Sequence, residues 1–225
     1  LFKIYKDQNR TLIPLSDIPD YMKQATLAIE DKDFYRHGGF SYKGIFRAIT
    51  RNVLNHKLQG GSTITQQLVK NALLTPEKTF TRKIKEVILA IGVELTYSKD
   101  DILKMYFNEV GYGGTAYGIE EAAQMYFGKS ITTVTLAEAA LLAGLPAAPT
   151  TFSPFGAYPE LALSRQREVL RRMIEDNYLT PQQAQAAQTE KINFSPQTTE
   201  IKAPHFVMYI KDLLVNQYGE TLVNQ

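Results

Sequence analysis

The sequence predicts a mainly α protein. Apolar residues recur at helical spacing through most of the chain, hydroxyl caps and Pro or Gly breaks punctuate those stretches, and alternating strand patterns are scarce. Residues 1–14 alternate only loosely and read as one strand or an extended lead-in. Ser16-Asp17 with Pro19 starts the first helix, and Tyr21, Met22, Ala25, Ala28 and Ile29 give it an apolar face. A second helix is predicted from Tyr42 to Leu54. Gly60-Gly61 break the chain, and Ser62 or Thr63 can cap a helix running to about Leu74. Thr75-Pro76-Glu77 opens a long helix to about Tyr97. Further helices are predicted at 99–109, 118–127, 135–145, 158–178, 180–188 and 204–218. Lys191 to Ala203 is polar, holds Pro196 and reads as a linker. Residues 204–225 either pack on the domain or begin a following one.

Composition narrows the function. With 225 residues, 44% hydrophobic and 21% charged, the chain can bury a full core, which excludes wholesale disorder. A net charge of +2 is too small to argue for a nucleic-acid partner, so any cationic function is local. There is no Cys, and His37, His56 and His205 have no metal-ligand spacing, which argues against a thiolate or zinc site. The longest apolar runs, such as Leu136 to Leu145, are too short to span a bilayer. The chain starts at Leu1 with no Met and no signal-like stretch, and this abruptness favours a piece of a larger protein.

The chemistry concentrates in three segments. The first is Ala28-Ile29-Glu30-Asp31-Lys32-Asp33-Phe34-Tyr35-Arg36-His37. Glu30 falls near the end of the first helix, where the negative dipole end disfavours a carboxylate, and Asp31 and Asp33 add like charge. Both effects push its pKa upward, toward a general base. The alternative is a solvated acidic helix end paired with Lys32 and Arg36. His37 reads either as a partner for a carboxylate or as a structural residue beside an aromatic.

The second segment runs from Gly60 to Asn71. Its glycines allow close backbone approach, Ser62, Thr63, Gln66 and Gln67 offer hydroxyls and amides, and Lys70 offers a point charge. Thr63 and Gln66 also match a capping box, which leaves Lys70-Asn71 and the doubled Gln unexplained. In the third segment, Lys78, Arg82 and Lys85 share one helix face with Lys83 and Glu86 beside them. Ile84, Val87, Ile88, Ile91 and Leu95 form the apolar stripe predicted to face the core. Cations in a helix's first turns forgo the dipole benefit, a cost typical of an anion site; the alternative is a solvated basic face pairing Arg82 with Glu86. Acids, a polar groove and local cations together point to sugar transfer from a phosphate-linked donor. Gly111-Tyr112-Gly113-Gly114 lacks phosphate-loop lysine spacing and is discounted.

In order and spacing these segments resemble the peptidoglycan glycosyltransferase domain of class A penicillin-binding proteins and of monofunctional glycosyltransferases. The resemblance covers about residues 15–185. Its motifs are Glu30-Asp31-x-x-Phe34-x-x-His37-x-Gly39, then Gly60 to Gln67 with Lys70-Asn71, then Arg82-Lys83-x-x-Glu86 with Ala90 and Glu94. Ile102-Leu103-x-x-Tyr106-x-Asn108 and Leu136-x-Glu138-Ala139-Ala140-Leu141-Leu142-Ala143 complete the set.

The resemblance implies a lysozyme-like fold with a large lobe and a small membrane-facing lobe. It implies inverting polymerisation of lipid II into a growing glycan strand. By motif, Glu30 would be the base and Glu86 would sit near the departing pyrophosphate. Lys70, Lys78 and Lys85 would contact that pyrophosphate, and Arg82 and Lys83 would belong to the same cationic patch. Asp31, Phe34, His37, Arg47, Ser62, Thr63, Gln66, Gln67 and Asn71 would line the substrate cleft. Lys78 stands where the family usually carries Arg, which keeps the charge but loses the bidentate fork. A divalent cation, Mg or Mn, is left open, and no organic cofactor or nucleic-acid partner is implied.

The resemblance also implies placement on the outer face of the cell membrane, with an N-terminal transmembrane helix beyond this chain. Phe40, Tyr42, Ile45, Phe46, Ile49, Val53 and Leu54, interleaved with Lys43, Arg47 and Arg51, fit an interfacial surface or an ordinary core helix equally. Residues 1–190 are expected to be the glycosyltransferase domain, and 191–225 the exit toward a transpeptidase domain this chain lacks. Competing readings are a lysozyme-like lytic enzyme, which has no use for cations beside its second acid, and a non-catalytic wall-binding module.

Overall fold

The computed structural model describes residues 10–39, 62–74 and 79–195, together with 209–210, 213–214 and 217–218. Eight α-helices and one short hairpin make up its regular structure, besides three single 3-10 turns, so the mainly α expectation holds among the described residues. The helices are α1 (Asp20–Glu30), α2 (Ile64–Leu73), α3 (Phe80–Thr96), α4 (Lys99–Glu109), α5 (Ile119–Phe127), α6 (Leu136–Gly144), α7 (Glu160–Glu175) and α8 (Pro181–Thr189). Gly111–Gly113 and Ala116–Tyr117 pair as antiparallel strands β1 and β2, which the sequence reading does not foresee because each is too short to show alternation. The predicted helix at 42–54 lies outside the described residues. Within 204–218, residues 209–210, 213–214 and 217–218 are helical.

Local chemistry sets most helix starts. Thr63, Thr79, Ser98, Thr135 and Thr180 each accept a hydrogen bond from a first-turn backbone N–H, and Thr63, Thr135 and Thr180 form full capping boxes with Gln66, Glu138 and Gln183. The long third helix therefore starts at Phe80 behind its Thr79 cap, later than the Pro76 start predicted for it.

Packing follows from two faces of the molecule. α6 is buried from Ala137 to Gly144 and apolar apart from its capping Glu138, so it forms the centre, flanked by α1 and α7. Its small residues permit close approach. Gly144 has to be glycine, because a Cβ there would stand 2.7 Å from the Arg165 Cγ. α2 packs on α3 and α4 as a second layer. Asn108, buried on α4, ties the lead-in to this layer: its amide donates to the Ile13 carbonyl at 2.9 Å and accepts from the Ile13 N–H at 2.8 Å.

The predicted orientation of α3 is reversed. Ile84, Ile88 and Leu95 are 61%, 62% and 84% exposed, while Glu86 and Ala90 are buried. The buried face carries carboxylates because each meets a partner there, from α2 and α4 for Glu94 and from α3 itself for Glu86. Thr65 donates to Glu94, which also pairs with Lys99 at 2.7 Å, and Lys83 pairs with Glu86.

The segment read as a linker begins attached. Phe194 packs on Phe127 and Phe155 with ring centroids 6.1 and 5.6 Å away, and the Ser195 N–H donates to the Tyr126 carbonyl at 2.8 Å.

Asn108→Ala should lower stability by about 1–3 kcal/mol, since it leaves the Ile13 backbone groups unpaired. A urea-denaturation midpoint measures the loss; an unchanged midpoint would show that the lead-in contributes nothing.

Candidate active site

The two layers meet where α1 ends and α2 begins. Asp31, the residue after α1, accepts the Ile64 N–H at 3.0 Å and so satisfies one of the free donors of the α2 N-terminus. The same carboxylate takes the His37 Nε2–H at 2.8 Å. The Thr63 hydroxyl donates to the Gly39 carbonyl at 2.8 Å. Gly39 adopts φ +82° with its Cα against the α3 backbone, where a Cβ would sit 3.0 Å from the Ala90 carbonyl oxygen.

These bonds give part of the predicted substrate lining partners within the protein. Phe34 is fully buried in the core, with the Lys99 ammonium 4.4 Å from its ring centre, so it offers no face to a ligand. Asp31 is spent on His37 and on α2, while the His37 Nδ1 is buried without a partner among the described residues. Thr63 is buried as a helix cap. All four hold the site together from behind.

Glu30 is the last residue of α1 and is only partly shielded as a residue, yet its Oε1 is buried and has no hydrogen-bond partner. Its Oε2 accepts from the Gln67 amide at 2.6 Å. Burial drives the Glu30 carboxyl above the ordinary carboxylate range, and Asp31 adds a little; the Gln67 bond and the charges of Arg165 and Arg172 pull the other way and are outweighed. The sequence reading has the direction right but the cause wrong: desolvation dominates, with like charge a minor contributor.

On the next face of α2 lies a cationic network. Lys83 pairs with buried Glu86 and donates to the Ser62 hydroxyl at 2.9 Å, with the Gln66 amide oxygen at 3.5 Å. Arg82 lies 3.9 Å from the other Glu86 oxygen. Lys70 follows Gln66 and Gln67 by one helical turn and is exposed, as are Asn71 and Lys85. Adjacent residues of one helix, Gln66 and Gln67, thus touch the cations and the acid respectively. Arg47 and Lys78, and the apolar stretch at 40–58, lie outside the described residues.

The donor set does not fit a resident metal. Among the described residues no three acidic or His side chains converge, and Glu86 is already paired with Lys83.

Sequence reasoning missed the groups behind Glu30. Arg172 donates to the Ile29 carbonyl at 3.0 Å, Arg165 presents its charge from the same helix, and the phenols of Tyr106 and Tyr112 are buried within reach of the Glu30 field. The available signal was two arginines seven residues apart on α7, flanking the buried positions Ala162, Gln166, Val169 and Met173.

The raised Glu30 affinity means the folded protein holds this proton more tightly than the unfolded chain. Its contribution to stability is therefore full below the ordinary value of 4.5 and falls as pH rises through the folded value. Glu30→Gln keeps an acceptor for Gln67 and removes the buried charge. It should raise the melting temperature near pH 8, with the gain fading toward about pH 4. A variant no more stable than wild type at either pH would refute the burial argument.

Comparison with known proteins places the chain. The transglycosylase family model matches residues 1–174. Penicillin-binding protein 1A of Escherichia coli (strain K12) is 44% identical over 220 residues, covering 96% of this chain and 26% of that protein. Penicillin-binding protein 1A of Aquifex aeolicus is 42% identical over 214 residues, covering 95% of this chain and 29% of that protein. The chain thus spans little more than a quarter of the curated relatives it matches. A crystal structure of penicillin-binding protein 1A from Haemophilus influenzae aligns with a TM-score of 0.57 at 24% identity, over 96% of this chain and 22% of that one, a likeness of fold. The chain belongs to the transglycosylase family, the peptidoglycan glycosyltransferase domain of penicillin-binding proteins, with its mainly helical, lysozyme-like architecture.

Proposed function

We propose that this domain polymerises lipid II into glycan strands, with inversion at the donor sugar and Glu30 as general base. The observation that carries the reading is the Glu30 carboxylate: one oxygen fixed by Gln67, the other buried and unpartnered, with its proton affinity raised. A base in that state can accept a hydroxyl proton without first giving up a protein bond.

In the proposed step the 4-hydroxyl of the acceptor sugar loses its proton to Glu30 Oε1 as its oxygen attacks C1 of the donor. The bond from C1 to the phosphate oxygen breaks on the opposite face, and its electron pair leaves with the lipid pyrophosphate. A diphosphate leaves as an anion, so it needs positive charge more than a general acid. Lys83 supports this role from its seat between Ser62, Gln66 and Glu86, with Arg82 beside it and the exposed Lys70 and Lys85 able to reach a ligand. Glu86 then acts by orienting Lys83. Gln67 orients Glu30 and Gln66, itself buried, helps to seat Lys83, while Ser62 and Asn71 supply polar contacts to the substrate; Arg47 and Lys78 join it on the strength of their motifs alone.

The substrate's lipid tail places the reaction at a membrane surface, and a divalent cation, where one takes part, would come with the pyrophosphate. Residues 1–190 form the transferase domain and 191–225 lead toward a transpeptidase domain in the whole protein. No helix among the described residues is long and apolar enough to cross a membrane.

Incubation with labelled lipid II, with and without a divalent cation, tests the reading. Wild type should make polymer, and Glu30→Gln should slow it at least about 100-fold. Lys83→Met should slow it at least about tenfold through loss of charge at the leaving group. Undiminished polymerisation by Glu30→Gln, or cleavage of finished glycan in place of polymerisation, would overturn it.

A further inference from the structure

α7 carries Arg165 and Arg172 two turns apart on the side that faces α1. Arg172 reaches the chain immediately before Glu30: its Nη1 donates to the Ile29 carbonyl at 3.0 Å, and its Nε donates to Glu168 at 2.9 Å. That carbonyl belongs to the last turn of α1, whose free carbonyls form the negative end of the helix. Arg165 is half-buried and forms no ion pair among the described residues. It is threaded over the end of α6, where its Nε donates to the Gly144 carbonyl at 3.4 Å and its guanidinium stacks 5.3 Å from the Phe152 ring centre. Glu30 is the foremost negative charge acting on Arg165, and Arg165 the foremost positive charge acting on Glu30.

We propose that Arg165 and Arg172 are positioning residues for Glu30, a cationic backing that holds the end of α1 in register and lets the buried carboxylate lose its proton before each transfer. The inference rests on the assignment of Glu30 as the base. Burial alone would leave that carboxyl protonated and useless as an acceptor. Gln67 stabilises the charged form from the front, and the arginines do so from behind without occupying the oxygen that takes the proton. The α6 segment beside them, Ala139 to Gly144, is apolar and offers no charge. Asp31 opposes the arginines, and Glu168, held near pKa 2 by the hydrogen bonds of Arg171, screens Arg172 in part. Tyr106 on α4 and Tyr112 on β1 stay neutral because burial, reinforced by the Glu30 charge, raises both phenols. Arg165, with no carboxylate paired to it, is the less screened of the two cations.

Removal of either charge should make Glu30 hold its proton to higher pH. The acid limb of the pH–rate profile should then move up. At the pH where wild type reaches half its plateau rate, Arg165→Gln and Arg172→Gln should each lose at least a further twofold or so relative to their own plateaus. Arg172→Lys keeps the charge but loses the planar fork, so its limb should stay near that of wild type even where its plateau drops. A purely structural role predicts lower plateaus and melting temperatures with every limb in place.

The measurement is the initial rate of lipid II polymerisation from about pH 5 to 9 for the intact chain and these variants, beside their melting curves and Glu30→Gln. Limbs unmoved in Arg165→Gln and in whichever Arg172 variants fold, with Glu30→Gln inactive, would sink the arginine proposal and leave the base assignment standing. An active Glu30→Gln, or a wild type with no acid limb, would sink the base assignment and the arginine proposal with it.

Discussion

A helix N-terminus leaves backbone N–H groups that must find acceptors, and in this protein the demand of α2 organises the rest. Asp31 crosses from the end of α1 to the Ile64 N–H, and Thr63 and Gln66 satisfy each other's cap. The following side chains are then aimed outward as ties. Thr65 reaches Glu94 on α3, Gln66 and Ser62 reach Lys83, and Gln67 reaches Glu30. One helical turn is therefore tied at two places on α3 and at the end of α1. Buried networks of this kind are worth keeping only when every member is bonded, since a half-satisfied one costs more than an apolar contact. The exceptions are informative: Glu30 Oε1, His37 Nδ1, Arg82 Nε and the Tyr106 hydroxyl are buried without a partner among the described residues, and of these only Glu30 Oε1 is a carboxylate oxygen.

That open oxygen sits in a balance of opposing effects. Desolvation and, to a small extent, Asp31 favour the protonated acid, whereas Gln67 and the two α7 arginines favour the carboxylate, and the first group wins. The role proposed for Glu30 needs this compromise. Full solvation would leave it too weak to draw a proton from a sugar hydroxyl, and burial without cations would leave it permanently protonated. The two-sided arrangement separates the jobs, with orientation in front and charge behind.

Local signals carried much of the fold into the sequence. Thr63, Ser98, Thr135 and Thr180 are readable as caps because capping is decided within four residues. Glu30 is readable as the end of a helix for the same reason. What could not be read depends on distant partners. The Arg172 bond to Ile29 spans 143 positions of sequence, and nothing in the α7 periodicity says which element its arginines will meet. Phe34, Asp31, His37 and Thr63 carry the right residue types for a cleft but serve as its frame, and residue type alone cannot separate a group that touches a ligand from one that holds the group that does.

The orientation of α3 is where the ordinary rule of apolar inside fails, and the reason ties stability to function. Burying Ile84, Ile88 and Leu95 would turn Glu86 and Glu94 to water and remove the partners of Lys83, Thr65 and Lys99. The helix instead exposes its aliphatic stripe and buries its acids, which is tenable only because Glu94 meets Thr65 of α2 and Lys99 of α4, and Glu86 meets Lys83 of its own helix, which Ser62 and Gln66 hold in place. The cost of the inverted face is thus offset by the same contacts that hold the cations in position beside Glu30. It follows that neither side of the site can be changed alone. A substitution that frees Glu86 disturbs the seat of Lys83, the turn of α2 that Lys83 contacts, and through Gln67 the setting of Glu30.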